Sequence, residues 1–111
     1  MATETGRWVR VATLEELPLD APVGLAADGV RLCLVRTQEG VFAILDRCTH
    51  RDFPLSAGEV DAEEGTIACA WHGATFDLRT GAVRALPAIR PVPVYPVEVR
   101  DGEVWVCLTG A

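Results

Sequence analysis

The feature that most limits how this chain can fold is its punctuation: short runs of alternating apolar residues, each closed by a two-residue turn signal. Val30-Arg31-Leu32-Cys33-Leu34-Val35 and Val41-Phe42-Ala43-Ile44-Leu45 flank Glu39-Gly40. Val97-Glu98-Val99-Arg100 and Glu103-Val104-Trp105-Val106-Cys107-Leu108 flank Asp101-Gly102. An Asp-Gly pair between two such runs favours a hairpin, because the tight turn needs positive φ, which these residues tolerate. Similar pairs recur at Asp28-Gly29, Glu64-Gly65 and Thr80-Gly81. No stretch keeps a helical period for long; only Leu14 to Leu17 suits a single turn, with Thr13 as its cap and Glu16 three residues on. The pattern predicts an all-β chain of about eight to ten short strands, an antiparallel sandwich or partly open barrel.

One region breaks the hairpin rhythm. From Arg47 to Leu86 the apolar runs shorten while Cys, His, Gly and Pro concentrate. Leu86 to Pro96 then adds four prolines, which bars a central strand there. A loop-rich insert in a β scaffold is where function tends to sit. The 111 residues are expected to form one domain, 1–111, with a loop-rich subdomain at about 47–86 inserted into the scaffold. Met1 to Arg10 has no apolar signal core, and the chain has no apolar run long enough to span a bilayer, so a soluble cytoplasmic protein is expected.

Charge narrows the partners. The net charge is −6, and the sixteen acids form no solid block. A nucleic-acid surface would need clustered basic residues, so no nucleic acid is expected. The acidity serves either solubility or a face that docks on a basic partner. All ten basic residues are arginine.

The chemistry concentrates in two short segments, Cys48-Thr49-His50 and Cys69-Ala70-Trp71-His72, with 18 residues between them. Each offers one thiolate and one imidazole. A two-iron cluster needs two terminal ligands on each iron, and one Cys and one His from each segment would meet that need. A zinc site uses the same ligand types, and spacing alone admits it too. Cys33 and Cys107 lie in strand-like runs and read as small buried hydrophobes. Trp8 and Trp105 read as scaffold core.

The stretches Cys48-Thr49-His50-Arg51-Asp52-Phe53-Pro54-Leu55-Ser56 and Cys69-Ala70-Trp71-His72-Gly73-Ala74-Thr75-Phe76-Asp77 resemble the Rieske iron–sulfur family, C-x-H followed by C-x-x-H. The likeness is nearest to bacterial Rieske-type ferredoxins that feed ring-hydroxylating oxygenases, and it continues through Leu86-Pro87-Ala88 to the C-terminal hairpin. The resemblance implies a three-sheet β fold with one [2Fe–2S] cluster held by Cys48, His50, Cys69 and His72. It also implies a proline loop around Pro87 that shields the cluster, and a second layer including Phe53, Trp71 and Gly73. The gap of 18 is slightly longer than is usual in these ferredoxins, and the extra residues are expected in the Asp61 to Gly65 turn.

In high-potential relatives two further cysteines brace the loops; Phe53 and Trp71 stand there in this chain. Ala74 and Phe76 stand where a Ser and a Tyr hydroxyl would face the cluster. Hydrogen bonds to sulfur stabilise the more negative reduced state, so their loss implies a potential toward the low end of the Rieske range, on the order of −150 mV.

The function implied is a one-electron carrier between a reductase and an oxygenase, not an enzyme in its own right. A catalytic oxygenase subunit would need a further iron on two histidines and a carboxylate, and this chain's only two histidines are already used. A small Rieske subunit of a reductase such as nitrite reductase, or a ferredoxin for cluster assembly, would differ in partner and not in site. A zinc-stapled interaction module stands apart from these and would unfold on chelation.

Overall fold

The computed structural model describes residues 7–49, 52–70, 73–86 and 90–108. Among them are eleven strands in chain order: β1 (Arg7–Thr13), β2 (Pro22–Ala27), β3 (Val30–Thr37), β4 (Gly40–Leu45), β5 (Glu59–Asp61), β6 (Thr66–Ala68), β7 (Thr75–Asp77), β8 (Val83–Ala85), β9 (Val94–Tyr95), β10 (Val97–Arg100) and β11 (Glu103–Leu108). They form three sheets, ordered β1-β11-β10, β2-β3-β4-β9 and β5-β6-β7-β8, whose strand pairs are all antiparallel. None closes into a barrel, so of the two architectures expected the open, layered one is realised.

Two of the turn signals act as read, whereas at Glu39-Gly40 the two turn residues are Gln38 and Glu39 and Gly40 opens β4. Asp28 and Gly29 have φ of 49° and 81°, and Asp101 and Gly102 have 50° and 78°, the paired positive values of a two-residue hairpin turn. Leu14–Glu16 is a single 3-10 turn, and Glu16 accepts a hydrogen bond from the Thr13 N–H at 2.9 Å. Strand β1 had no turn pair to announce it. Its partner β11 is almost a chain length away, and their register pairs Trp8 with Cys107 and Val9 with Val106.

The middle sheet is a wall between two cores. On one side Leu32, Leu34 and Ala43 pack with Val104, Val106 and Leu108 of the first sheet. On the other, Cys33, Val35 and Ile44 pack with Leu55, Ile67, Ala74 and Phe76. Leu32 through Val35 are therefore all fully buried, and β3 loses the alternation of burial that a one-sided sheet shows.

The same register corrects one expectation. Val104, Val106 and Leu108 take the inner face of β11, so Trp105 must face outward. Trp8 and Trp105 are half-buried on that outer face, outside both cores, with the Arg100 guanidinium 5.6 Å and 5.0 Å from their ring centres. They form a cation–π stack in place of the core contact expected of them.

The proline segment behaves as its composition requires. Among its described residues it supplies the edge strand β9, paired with β4, and straps the middle sheet to the third. Leu45 N–H donates to Pro93 O at 3.0 Å, and Val92, itself buried, donates to Gly81 O at 2.9 Å.

Candidate metal centre

Both candidate thiol ligands are buried, Cys48 at 2% exposure and Cys69 at 3%, and both belong to the core that backs the middle sheet. Each opens a loop closed in the same way. Cys48 N–H donates to Phe53 O at 2.9 Å, and Cys69 N–H donates to Ala74 O at 2.7 Å. The carbonyl lies five residues on in both cases, so each thiol is fixed at the mouth of a backbone-closed turn. His50 and His72 fall inside those turns by sequence and lie outside the described residues, as do Trp71 and Pro87.

The first loop leaves β4 and crosses to the third sheet, and polar side chains hold it there. Asp46, only 7% exposed, accepts from Ser56 N–H and from Ser56 Oγ, both at 2.7 Å. Ser56 is the chain's one serine. Arg31 Nη2 donates to the Asp46 carbonyl at 3.0 Å, and Asp46 N–H donates to Arg31 O at 2.9 Å. Thr49 Oγ1 donates to Arg90 O at 2.8 Å and ties the loop to the proline segment. Asp46 and Ser56 were not singled out in the sequence. The usable signal was a lone serine eight residues after a cysteine that an aspartate precedes by two.

The second loop joins the adjacent strands β6 and β7 and needs less. Gly73 N–H donates to Cys69 O at 3.0 Å, and Gly73 has φ of +78° with open space around it, which makes it a turn glycine. Gly58 serves the other purpose: a side chain there would collide with the carbonyl of Ala68, immediately before Cys69. Gly58 is thus where the end of the first loop presses against the start of the second.

Phe53 is half-buried and packs on the shared core, while Ala74 and Phe76 are fully buried. Neither of those two side chains carries a hydrogen-bond donor. Cys33 sits in the same core with its thiol pushed up to about 12 by burial and by the nearby Asp46 carboxylate. It packs as a small buried hydrophobe within β3, as expected. Cys107 is buried in β11, as expected. The Asp61 to Gly65 turn lies at the end of the β5–β6 hairpin opposite Cys69, closed by Gly65 N–H to Asp61 O at 2.8 Å.

Residues 7–96 match the family model of the Rieske [2Fe-2S] domain. The chain belongs to the Rieske family. The group this Rieske protein carries is a Rieske-type [2Fe–2S] cluster, and the two buried thiols on paired closed turns are a donor set suited to one of its irons.

Among curated relatives, the anthranilate 1,2-dioxygenase ferredoxin subunit of Burkholderia cepacia is 34% identical over 99 residues, 89% of this chain and 90% of the relative. Among solved structures, the ferredoxin of carbazole 1,9a-dioxygenase from Nocardioides aromaticivorans IC177 is 40% identical with a TM-score of 0.86, covering 89% of this chain and 95% of that one. A chain from the complex of reduced oxygenase and oxidized ferredoxin in carbazole 1,9a-dioxygenase is 31% identical with a TM-score of 0.83, covering 90% and 92%. No helix among the described residues is long and apolar enough to cross a membrane.

Proposed function

We propose that this Rieske protein is the ferredoxin of an oxygenase system, accepting one electron at a time from a reductase and passing it to the oxygenase. The observation that carries the reading is the pair of buried cysteines, each at the mouth of a backbone-closed turn, in a chain that matches ferredoxin subunits over nearly their whole length. Cys48 and Cys69 would hold one iron, and His50 and His72 the other. The cluster would supply one-electron chemistry at a potential set by its ligands and their surroundings.

The chain's own residues do the rest. The Asp46–Ser56 bonds and the β6–β7 hairpin hold the two thiol-bearing turns in place. Leu55, Ala74 and Phe76 keep water from the side of the thiols that faces the core. Phe53 adds apolar packing at the first turn. Ala74 and Phe76 offer no hydroxyl to sulfur, which supports a potential near the low end of the Rieske range.

The whole chain acts as one domain in this reading, with about 47–86 as the cluster-binding subdomain. Its setting is the cytoplasm, where thiolate ligands stay reduced. The test is reconstitution with a reductase and an oxygenase of a ring-hydroxylating system. Substrate-dependent oxygen uptake should require this protein. Uptake that proceeds equally without it would overturn the reading, and electron delivery to a nitrite-reducing partner would reassign it to a reductase subunit.

A further inference from the structure

The protein is acidic overall, yet the end that carries Cys48 is ringed by arginine. Arg31, Arg47 and Arg90 are exposed there. Arg47 and Arg90 line one cleft with Cys48, Thr49 and Asp52.

The pairing pattern separates these arginines from the others. Arg7, Arg10, Arg79 and Arg100 each meet one carboxylate at 2.8–3.0 Å, and Arg84 meets two. Arg36 is spent on the carbonyls of Leu14 and Leu17. At the cluster end Arg31 and Arg47 share a single exposed carboxylate, Asp52, at 4.0 Å and 3.3 Å. Arg90 has no carboxylate partner among the described residues. The other nearby acid, Asp46, is buried and turned to Ser56. Glu59 stands on the flank, opposite Ala68 in the β5–β6 pair. The second loop, 69–75, carries no charged residue.

We propose that Arg31, Arg47 and Arg90 form a cationic docking collar at the Cys48 end, and that it fits a redox partner whose own docking site is ringed by carboxylates. The inference rests on the ferredoxin reading above and names the partner's surface chemistry. Screening makes the local charge decisive. The molecule is 37 Å long, and charges more than about 8 Å apart are largely screened at physiological ionic strength. An approaching partner therefore meets the collar, while the excess of acid belongs to the rest of the surface, Glu63 and Glu64 at the far end of the β5–β6 hairpin included. Such a surface orients the protein with its cluster end foremost before contact.

The experiment uses reduced holoprotein whose visible spectrum shows the intact cluster, with two small oxidants of opposite charge. Each event moves one electron: ferricyanide becomes ferrocyanide, or tris(phenanthroline)cobalt(III) becomes the cobalt(II) complex, and the protein returns to its oxidised form. The collar predicts that ferricyanide oxidation slows by about fivefold as salt rises from low to above-physiological strength, while the cobalt reaction speeds up. Net charge alone predicts both trends reversed, and that result overturns the proposal. The R47E/R90E variant, with its spectrum unchanged, should invert the ferricyanide trend; if it keeps the wild-type slope, the collar is not the source. Bound mass on a carboxylate-terminated gold monolayer at low salt gives the same comparison without electron transfer: wild type adsorbs and the variant does not. A protein that never shows the cluster spectrum would count against the ferredoxin reading itself, while this adsorption still decides for or against the collar.

Discussion

The two thiol-bearing loops start alike and are held differently. Each begins at a buried cysteine whose N–H closes the turn on a carbonyl five residues on. The second then inherits its position from β6 and β7, neighbours in one sheet, and the Thr75 hydroxyl adds an exposed bond to Gly73 O at 2.8 Å. The first crosses from one sheet to another, where no strand pairing fixes it. A buried carboxylate, the chain's one serine and an arginine do that work instead. A loop between paired strands is set by backbone; a loop between sheets needs specific side chains.

The largest effects test what the loops share. Cys48→Ser and Cys69→Ser should each abolish the visible chromophore and the bound iron, because in the proposed ligation either change removes a thiolate from the same iron. Retention of a full cluster in either variant would break the symmetry of the two loops. Next come the anchors, where the loops should part. Asp46→Ala leaves the Ser56 N–H and hydroxyl without their acceptor in a part-buried site and should cost about 2–3 kcal/mol in denaturant unfolding, with faster cluster loss. Thr75→Val should cost no more than about 1 kcal/mol, since its bond is exposed. Equal costs would mean that the first loop is not held by its side chains.

A smaller effect concerns tuning. Ala74→Ser places a hydroxyl at a fully buried position in the second loop and should raise the reduction potential by voltammetry, with little change in stability. An unchanged potential would remove the proposed basis for a value at the low end of the Rieske range.

The smallest effect lies away from both loops. Burial pushes the Asp77 carboxyl up, but the N–H groups of Arg79 and Thr80 and the Arg84 guanidinium outweigh it and hold the group below its usual range. A depressed folded value means that its stabilisation is present above the unfolded value, near pH 4, and is lost as pH falls through the folded one. Between about pH 5 and pH 3 the melting temperature of the wild type should therefore fall slightly more than that of Asp77→Asn.

Much of this was legible in the sequence, for physical reasons that also mark where it stopped. Asp-Gly pairs encode hairpins locally, so β2–β3 and β10–β11 could be read without tertiary knowledge. The Cys-x-His and Cys-x-x-His segments marked a candidate donor set because few other chemistries use those residues so closely spaced. Strand β1 was hidden because its partner is distant in the chain. The outward placement of Trp105 was hidden because alternation along β11 does not say which face is inward until the first sheet is packed. The Asp46–Ser56 anchor was hidden because its ten-residue separation follows no repeat. The close approach at Gly58 was hidden because the Ala68 carbonyl meets it only once the two loops are packed.

The central claim is that two thiolates and two imidazoles of this chain hold one two-iron cluster. Its most direct measurement is the electron paramagnetic resonance spectrum of the purified protein before and after dithionite, with iron and sulfide determined on the same sample. The account predicts a red-brown protein with two irons and two sulfides per chain, silent when oxidised. Its reduced form should give a rhombic signal whose average g lies below that of all-thiolate two-iron clusters. A colourless, silent protein that binds one zinc per chain would contradict it.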